Sequence, residues 1–230
     1  MGNIETEPKL QNTSNVDGFV MSNRKWLLGI VIAVVVVIVV VVAALIVLDT
    51  MNAKAITKLE TYVTTFDAEK DNFSDVSNEE VKTLLENLES LGDKFFGYPA
   101  SRAFLMAGDI YKEQNDWANA ESMWLKSAAK GSKTHLAPVA LFNAGVAAEE
   151  QNNADAAIDH YKKASAYDDF PQAAHAQFSI ARILKEDKSD TEASLAAYRE
   201  LLEKWPSDTA WANLAQTKIL EIEIETGLTE

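Results

Sequence analysis

Cysteine is absent from the chain. That excludes a disulfide framework, a thiolate metal site and a cysteine nucleophile. Histidine occurs only at His135, His160 and His175, and none sits in a Glu-x-x-His or His-x-x-x-His spacing that would build a metal site. All three read as surface or edge-packing residues. There is no glycine-rich phosphate loop and no Gly-x-Ser-x-Gly elbow. No cofactor, metal or catalytic residue is expected, and the chain does not read as an enzyme. Clustered positive charge is missing as well: 21 Lys and Arg stand against 35 Asp and Glu, a net charge of −14. Glu5, Glu7 and Asp17 balance Lys9, Arg24 and Lys25, and residues 26–48 carry no charge, so residues 49–230 hold the whole excess. Such a segment is a poor partner for nucleic acid or for an anionic lipid surface. The pairs Glu79-Glu80 and Glu149-Glu150 read as solvated faces.

Against these absences stands one long apolar run, WLLGIVIAVVVVIVVVVAALIVL at 26–48, with no charge, no proline and no polar group but the Trp26 indole. As a helix it spans roughly 34 Å, enough to cross a bilayer core of about 30 Å. Valine forms helices poorly in water, but in lipid the backbone must satisfy its own hydrogen bonds. Arg24 and Lys25 abut its start and Asp49 its end, which favours the N-terminus inside and the remainder outside, although Lys54 and Lys58 oppose this. A cleaved signal peptide competes, because Ala53-Lys54-Ala55 resembles a cleavage site. The apolar core is longer than such peptides use, and the site lies well past its end, so an uncleaved anchor is the expectation.

Residues 49–230 repeat with a period of 37. NDWANAESMWLKSA at 115–128 aligns with NNADAAIDHYKKAS at 152–165 and SDTEASLAAYRELL at 189–202. Phe104, Leu141 and Phe178 correspond, as do Ala107, Ala144 and Ala181, then Ala120, Ala157 and Ser194, then Trp124, Tyr161 and Tyr198. Each unit reads as two helices around a polar turn. The small residues let paired helices approach, and the aromatics fill the space between units. Pro99, Pro138, Pro171 and Pro206 are expected between units, where a helix stops. Stacked hairpins of this kind bury together what none buries alone. Residues 79–98 read as the second helix of a degenerate leading unit closed by Pro99. The stripe Ile56, Leu59, Val63 and Phe66 is either that unit's first helix or a short dimerising coiled coil.

At these positions the chain resembles the tetratricopeptide repeat (TPR) family. Phe104…Ala107-Gly108…Tyr111…Ala120…Trp124 matches that pattern closely. The second unit keeps Leu141, Ala144-Gly145, Ala157, Tyr161 and Ala164 but has Ala148 where an aromatic is usual. The third has Arg182 where a tiny residue belongs and Lys185 where an aromatic belongs. Either Arg182 snorkels out or the helix slips by one. The expected fold is all-α: a single N-terminal transmembrane helix followed by a TPR-like α-solenoid. The segments are a short cytoplasmic N-terminus at 1–25, the transmembrane helix at 26–48, a leading helix pair at 49–99, three repeats at 100–206 and a C-terminal capping helix at 207–230. The layout also resembles the YfgM-type ancillary subunits of the SecYEG translocon in the bacterial inner membrane. That resemblance implies a periplasmic domain that hands exported clients to periplasmic chaperones.

In the TPR resemblance, ligands lie along the face made by the first helices. The matching positions are Arg102, Leu105, Asp109 and Lys112 in the first unit, and Val139, Phe142, Val146 and Glu149 in the second. The third unit adds Ser179 and Ile183, or Phe178 and Arg182 if its register slips. The Lys/Asn/Arg clamp that some such domains use for a C-terminal carboxylate is missing. The floor around Phe142 and Val146 suits an extended or helical apolar segment, unless those residues pack against a neighbouring helix or the C-terminal cap. The expected role is a membrane-anchored adaptor whose partners are proteins. The alternatives are a scaffold for envelope or division complexes and a self-associating structural membrane protein.

Overall fold

In the computed structural model residues 13–227 are described. Residues 1–12 of the N-terminal segment and 228–230 of the C-terminal one lie outside them. The described elements are all helical: α1 (Thr13–Glu69), a 3₁₀ turn (Lys70–Asn72), α2 (Glu79–Lys94), α3 (Gly97–Glu113), α4 (Trp117–Lys130), α5 (Leu136–Glu150), α6 (Ala154–Ser165), α7 (Ala173–Glu186), α8 (Thr191–Lys204) and α9 (Thr209–Thr226). The chain divides into two compact units between Met51 and Asn52.

The first unit holds the apolar run. The helix that carries it is long and apolar enough to cross a membrane, with a mean hydropathy of 3.8 over its best 18 residues and none of that window buried. Val34 to Val42 all stand exposed, a surface that water tolerates poorly at this length. The helix does not end where the apolar run does; α1 continues to Glu69.

The second unit, Asn52–Glu230, stacks α2 on α3, α3 on α4 and so on to α9, each helix against the next. The reason is the 37-residue pattern. Ala107, Ala144, Ala181, Ala120 and Ala157 are fully buried, and Trp124, Tyr161 and Tyr198 are at most 2% exposed. A Cβ added at Gly108 would lie 2.5 Å from the Trp124 indole, and one at Gly145 would lie 2.6 Å from the Tyr161 ring. Only glycine lets these rings sit against the first helix.

The turns repeat too. Asn115, Asn152 and Ser189 all have positive φ, between 54° and 59°. The next residues, Asp116, Asn153 and Asp190, cap α4, α6 and α8 by accepting from the amide three residues on. That bond occupies one of the four amides a helix start leaves open.

The expected proline positions and the end of the first hairpin need correction, and two open alternatives are decided. Pro99 and Pro138 do not lie between helices: each is the third residue of α3 or α5. A first-turn residue has no intrahelical acceptor for its amide, so proline fits there without loss. Accordingly α2 stops at Lys94 rather than at Pro99. In the stripe at 56–66, Leu59, Val63 and Phe66 pack inward as expected and only Ile56 does not. Ala55 and Leu59 are buried while Ile56 is 42% exposed, and Leu59, Tyr62, Val63 and Phe66 join a core with Phe73, Val81, Leu84 and Leu88. The stripe is therefore occupied by packing within the leading helix pair. In the third unit Arg182 snorkels. Ala181 stays fully buried in the expected register, and the Arg182 guanidinium pairs with Glu149 and Glu186. A shift appears only in the turn, where the Asp190 amide donates to Leu184 O while Asn153 donates to Ala148 O.

Candidate functional site

The eight positions expected to bind fall into three kinds. Leu105 (4% exposed) and Phe142 (7% exposed) are core side chains. The Phe142 ring lies 5.2 Å from Tyr161, 6.1 Å from Phe170 and 4.9 Å from His175. His175 in turn stacks on Trp211 of α9 at 4.0 Å. The apolar floor expected at Phe142 is thus closed by its neighbours and by the C-terminal helix. Arg102, Asp109, Val139, Val146 and Glu149 are half-buried, and Lys112 is exposed. These six keep accessible surface. In the third unit Ser179 and Ile183 are buried, and Phe178 packs edge-on to Tyr198 and against Trp211. The accessible face is therefore concentrated on α3 and α5.

Acids on this face are tied to the aromatics behind them. The Trp124 indole N–H donates to Asp109 Oδ1 at 3.2 Å. The Tyr161 hydroxyl donates to Glu149 Oε1 at 2.6 Å, and Glu149 Oε2 accepts from Arg182. The Tyr111 hydroxyl donates to Glu89 Oε1 at 2.9 Å. Burial raises the Tyr161 hydroxyl's pKa, and its bond to Glu149 adds to this. Burial, with help from Glu89, raises that of Tyr111 to about 12. Burial also raises Asp109 from 3.8 to about 6, against the lowering effects of Trp124, Lys112 and Arg102. The His175 pKa is lowered by burial first and by Arg182 second.

Three clefts open beside these residues. One, of about 480 Å³, is lined by Phe66, Lys70, Asp71, Phe73, Asp109, Lys112 and Glu113. A second, of about 550 Å³, lies where Val139 faces His135, Tyr167, Phe170 and Pro171. A third, of about 610 Å³, is polar and takes in Glu149, Arg182, Glu186 and Lys188. The sequence reading missed the walls of the first two, since Phe66, Phe73, Tyr167 and Phe170 lie outside the repeat positions used to find the site. It also missed the link of α4 to α6, where Glu121 accepts from Gln151 and is paired with His160 at 2.9 Å. Among the described residues no His, Cys, Asp and Glu cluster is placed to hold a metal.

Residues 105–168 and 161–209 match the family model for the tetratricopeptide repeat. A TPR repeat-containing protein of Treponema pallidum (strain Nichols) is 25% identical over 228 residues, covering 92% of this chain and 95% of the relative. At that coverage too few residues are left out for the alignment to miss the apolar segment at 26–48. A crystal structure of Podosopora anserina kinesin light chain nearly identical TPR-like repeats shares the fold, with a TM-score of 0.52 over 74% of this chain and 89% of that one at 10% identity. Residues 105–209 thus carry the tetratricopeptide-repeat pattern within an all-helical, TPR-like solenoid.

Proposed function

We propose that the chain is a membrane-anchored, non-enzymatic adaptor that holds a protein-binding solenoid outside the cytoplasm, beside the protein-export machinery. The observation that carries this reading is the union in one chain of a charge-free 23-residue apolar segment and a TPR-type repeat array. TPR repeats serve as protein-binding scaffolds, and the half-buried groups on α3 and α5 offer a mixed polar and apolar surface of the kind that holds a peptide segment. The apolar segment would tether the chain that carries this surface to a bilayer. Arg24 and Lys25 before the apolar run support the N-inside orientation. The full-length similarity to a bacterial TPR protein supports a bacterial envelope setting, and the translocon role rests on layout. The engagement of Leu59, Val63 and Phe66 in the leading helix pair weighs against a self-associating structural role driven by that stripe.

The test is photo-crosslinking in intact cells with probes at Arg102 and Val146, and with exposed Lys162 on α6 as control. Phe142 is unsuitable because a probe there would disrupt packing. The reading expects translocon subunits, exported proteins or periplasmic chaperones at Arg102 and Val146 but not at Lys162. Cytoplasmic partners would overturn the topology. Self-crosslinks alone would replace the adaptor by an oligomer.

A further inference from the structure

Asp109 occupies an unusual position on the binding face. One carboxylate oxygen is held by the Trp124 indole N–H. Among the described residues the other, Oδ2, has no hydrogen-bond partner, and Asp109 lines the 480 Å³ cleft beside the 3₁₀ turn. The cleft's volume lies within the range of small-ligand sites, about 300–1,000 Å³. Its apolar wall is the ring pair Phe66–Phe73, with centroids 4.7 Å apart. Phe73 is only 2% exposed and Phe66 is half-buried, so Phe73 fixes the ring that Phe66 presents.

The cations already present do not satisfy this carboxylate. Lys112 Nζ is paired with Glu113 at 2.9 Å and is exposed. Lys70 stands exposed beside Asp71 on the turn. The carboxyl sits well above its ordinary range because burial outweighs Lys112 and Arg102 together. A carboxylate in that condition gains when a cation enters its cleft, since the pair then shares its desolvation. An aromatic face beside a carboxylate suits a guanidinium, which stacks on the ring and donates to the oxygen at once.

We propose that the cleft formed by Phe66, Phe73 and Asp109 is a subsite for an arginine side chain of a protein partner, with Asp109 Oδ2 as acceptor and the Phe66 ring as stacking surface. This rests on the reading of the α3–α5 face as a protein-binding surface and specifies what one end of it selects. The strong acidity of the solenoid favours such a partner at longer range as well, by steering basic segments toward it.

The experiment uses the full chain in detergent micelles and two fluorescent nonapeptides of apolar sequence, identical except that one carries a central arginine and the other citrulline, its neutral isostere. Anisotropy titration is expected to show the arginine peptide binding about tenfold tighter. Asp109→Asn should abolish that preference, and the asparagine carbonyl still accepts from Trp124, so the fold is kept. Lys112→Gln should raise arginine-peptide affinity severalfold by removing a competing cation and freeing Glu113. Equal binding of both peptides, or a preference that survives Asp109→Asn, overturns the subsite but leaves the wider binding face standing. If neither peptide binds while the crosslinks at Arg102 and Val146 appear, the subsite alone fails. If those crosslinks fail as well, the binding face fails with it.

Discussion

Asp109 shows how burial of one carboxyl side chain makes stability depend on pH. Its folded pKa of about 6 lies above the ordinary 3.8, so between those values the folded state binds more protons than the unfolded one. Stability from this group is therefore full below about pH 4 and is lost as pH rises through 6, by on the order of 1–3 kcal/mol. Asp109→Asn should be close to neutral at pH 4 and stabilising by about that amount at pH 7.5. Urea unfolding of the two proteins at both pH values checks it, and a difference that does not grow with pH would mean the carboxyl is solvated. Gly145 makes a steric point. Replacing a mid-helix glycine with alanine gains about 1 kcal/mol of helix propensity. Here, however, the new Cβ would meet the Tyr161 ring at 2.6 Å, and that ring is 1% exposed and tied to Glu149. Overpacking of about 1–3 kcal/mol should win, so Gly145→Ala should lower the urea midpoint. A raised midpoint would mean that Tyr161 moves easily.

At the scale of the element, the helix pairs were legible because a helical hairpin needs few residue types in fixed places. Small residues at Ala107 and Ala144, with rings at Trp124 and Tyr161, recur at the period and are buried as expected. The turns were legible only as polar stretches. Their shared left-handed residue at 115, 152 and 189 emerges from the backbone, and it makes a prediction. Asparagine adopts positive φ more readily than serine, and the first two turns already use it. Ser189→Asn should therefore stabilise the α7–α8 turn by about 0.5 kcal/mol, seen as a higher melting temperature and as slower amide exchange in α8. No change would mean that the shifted bond to Leu184 O already relieves the strain. The clefts were not legible, for a physical reason. Phe66 and Phe73 reach Asp109 through the closure of the leading helix pair, and no repeat period connects them. The fate of Phe142 was equally hidden: its repeat position suggested an open face, but Phe170 and His175 from later segments pack on it, with Trp211 stacked on His175.

At the scale of the whole molecule, the apolar segment decides where any binding surface can act, and the lack of cysteine makes that decision directly measurable. A charge-free stretch this long gains far more in lipid than its flanking charges can oppose, so those charges set direction rather than insertion. Arg24 and Lys25 lie against its start, whereas Lys54 and Lys58 lie beyond Asp49. Two single-cysteine proteins separate the outcomes: Ser14→Cys before the run, and Ser74→Cys in the exposed stretch after the 3₁₀ turn. With a membrane-impermeant maleimide, Ser74→Cys should label in intact cells and Ser14→Cys only after lysis. The reverse pattern would place the solenoid in the cytoplasm and remove exported proteins from its reach. Labelled Ser74→Cys in a shortened, carbonate-extractable protein would mean that the apolar run is cleaved as a signal. The solenoid would then lack the tether that the proposed adaptor role requires, so that reading depends on this anchor as much as on any residue of α3 or α5.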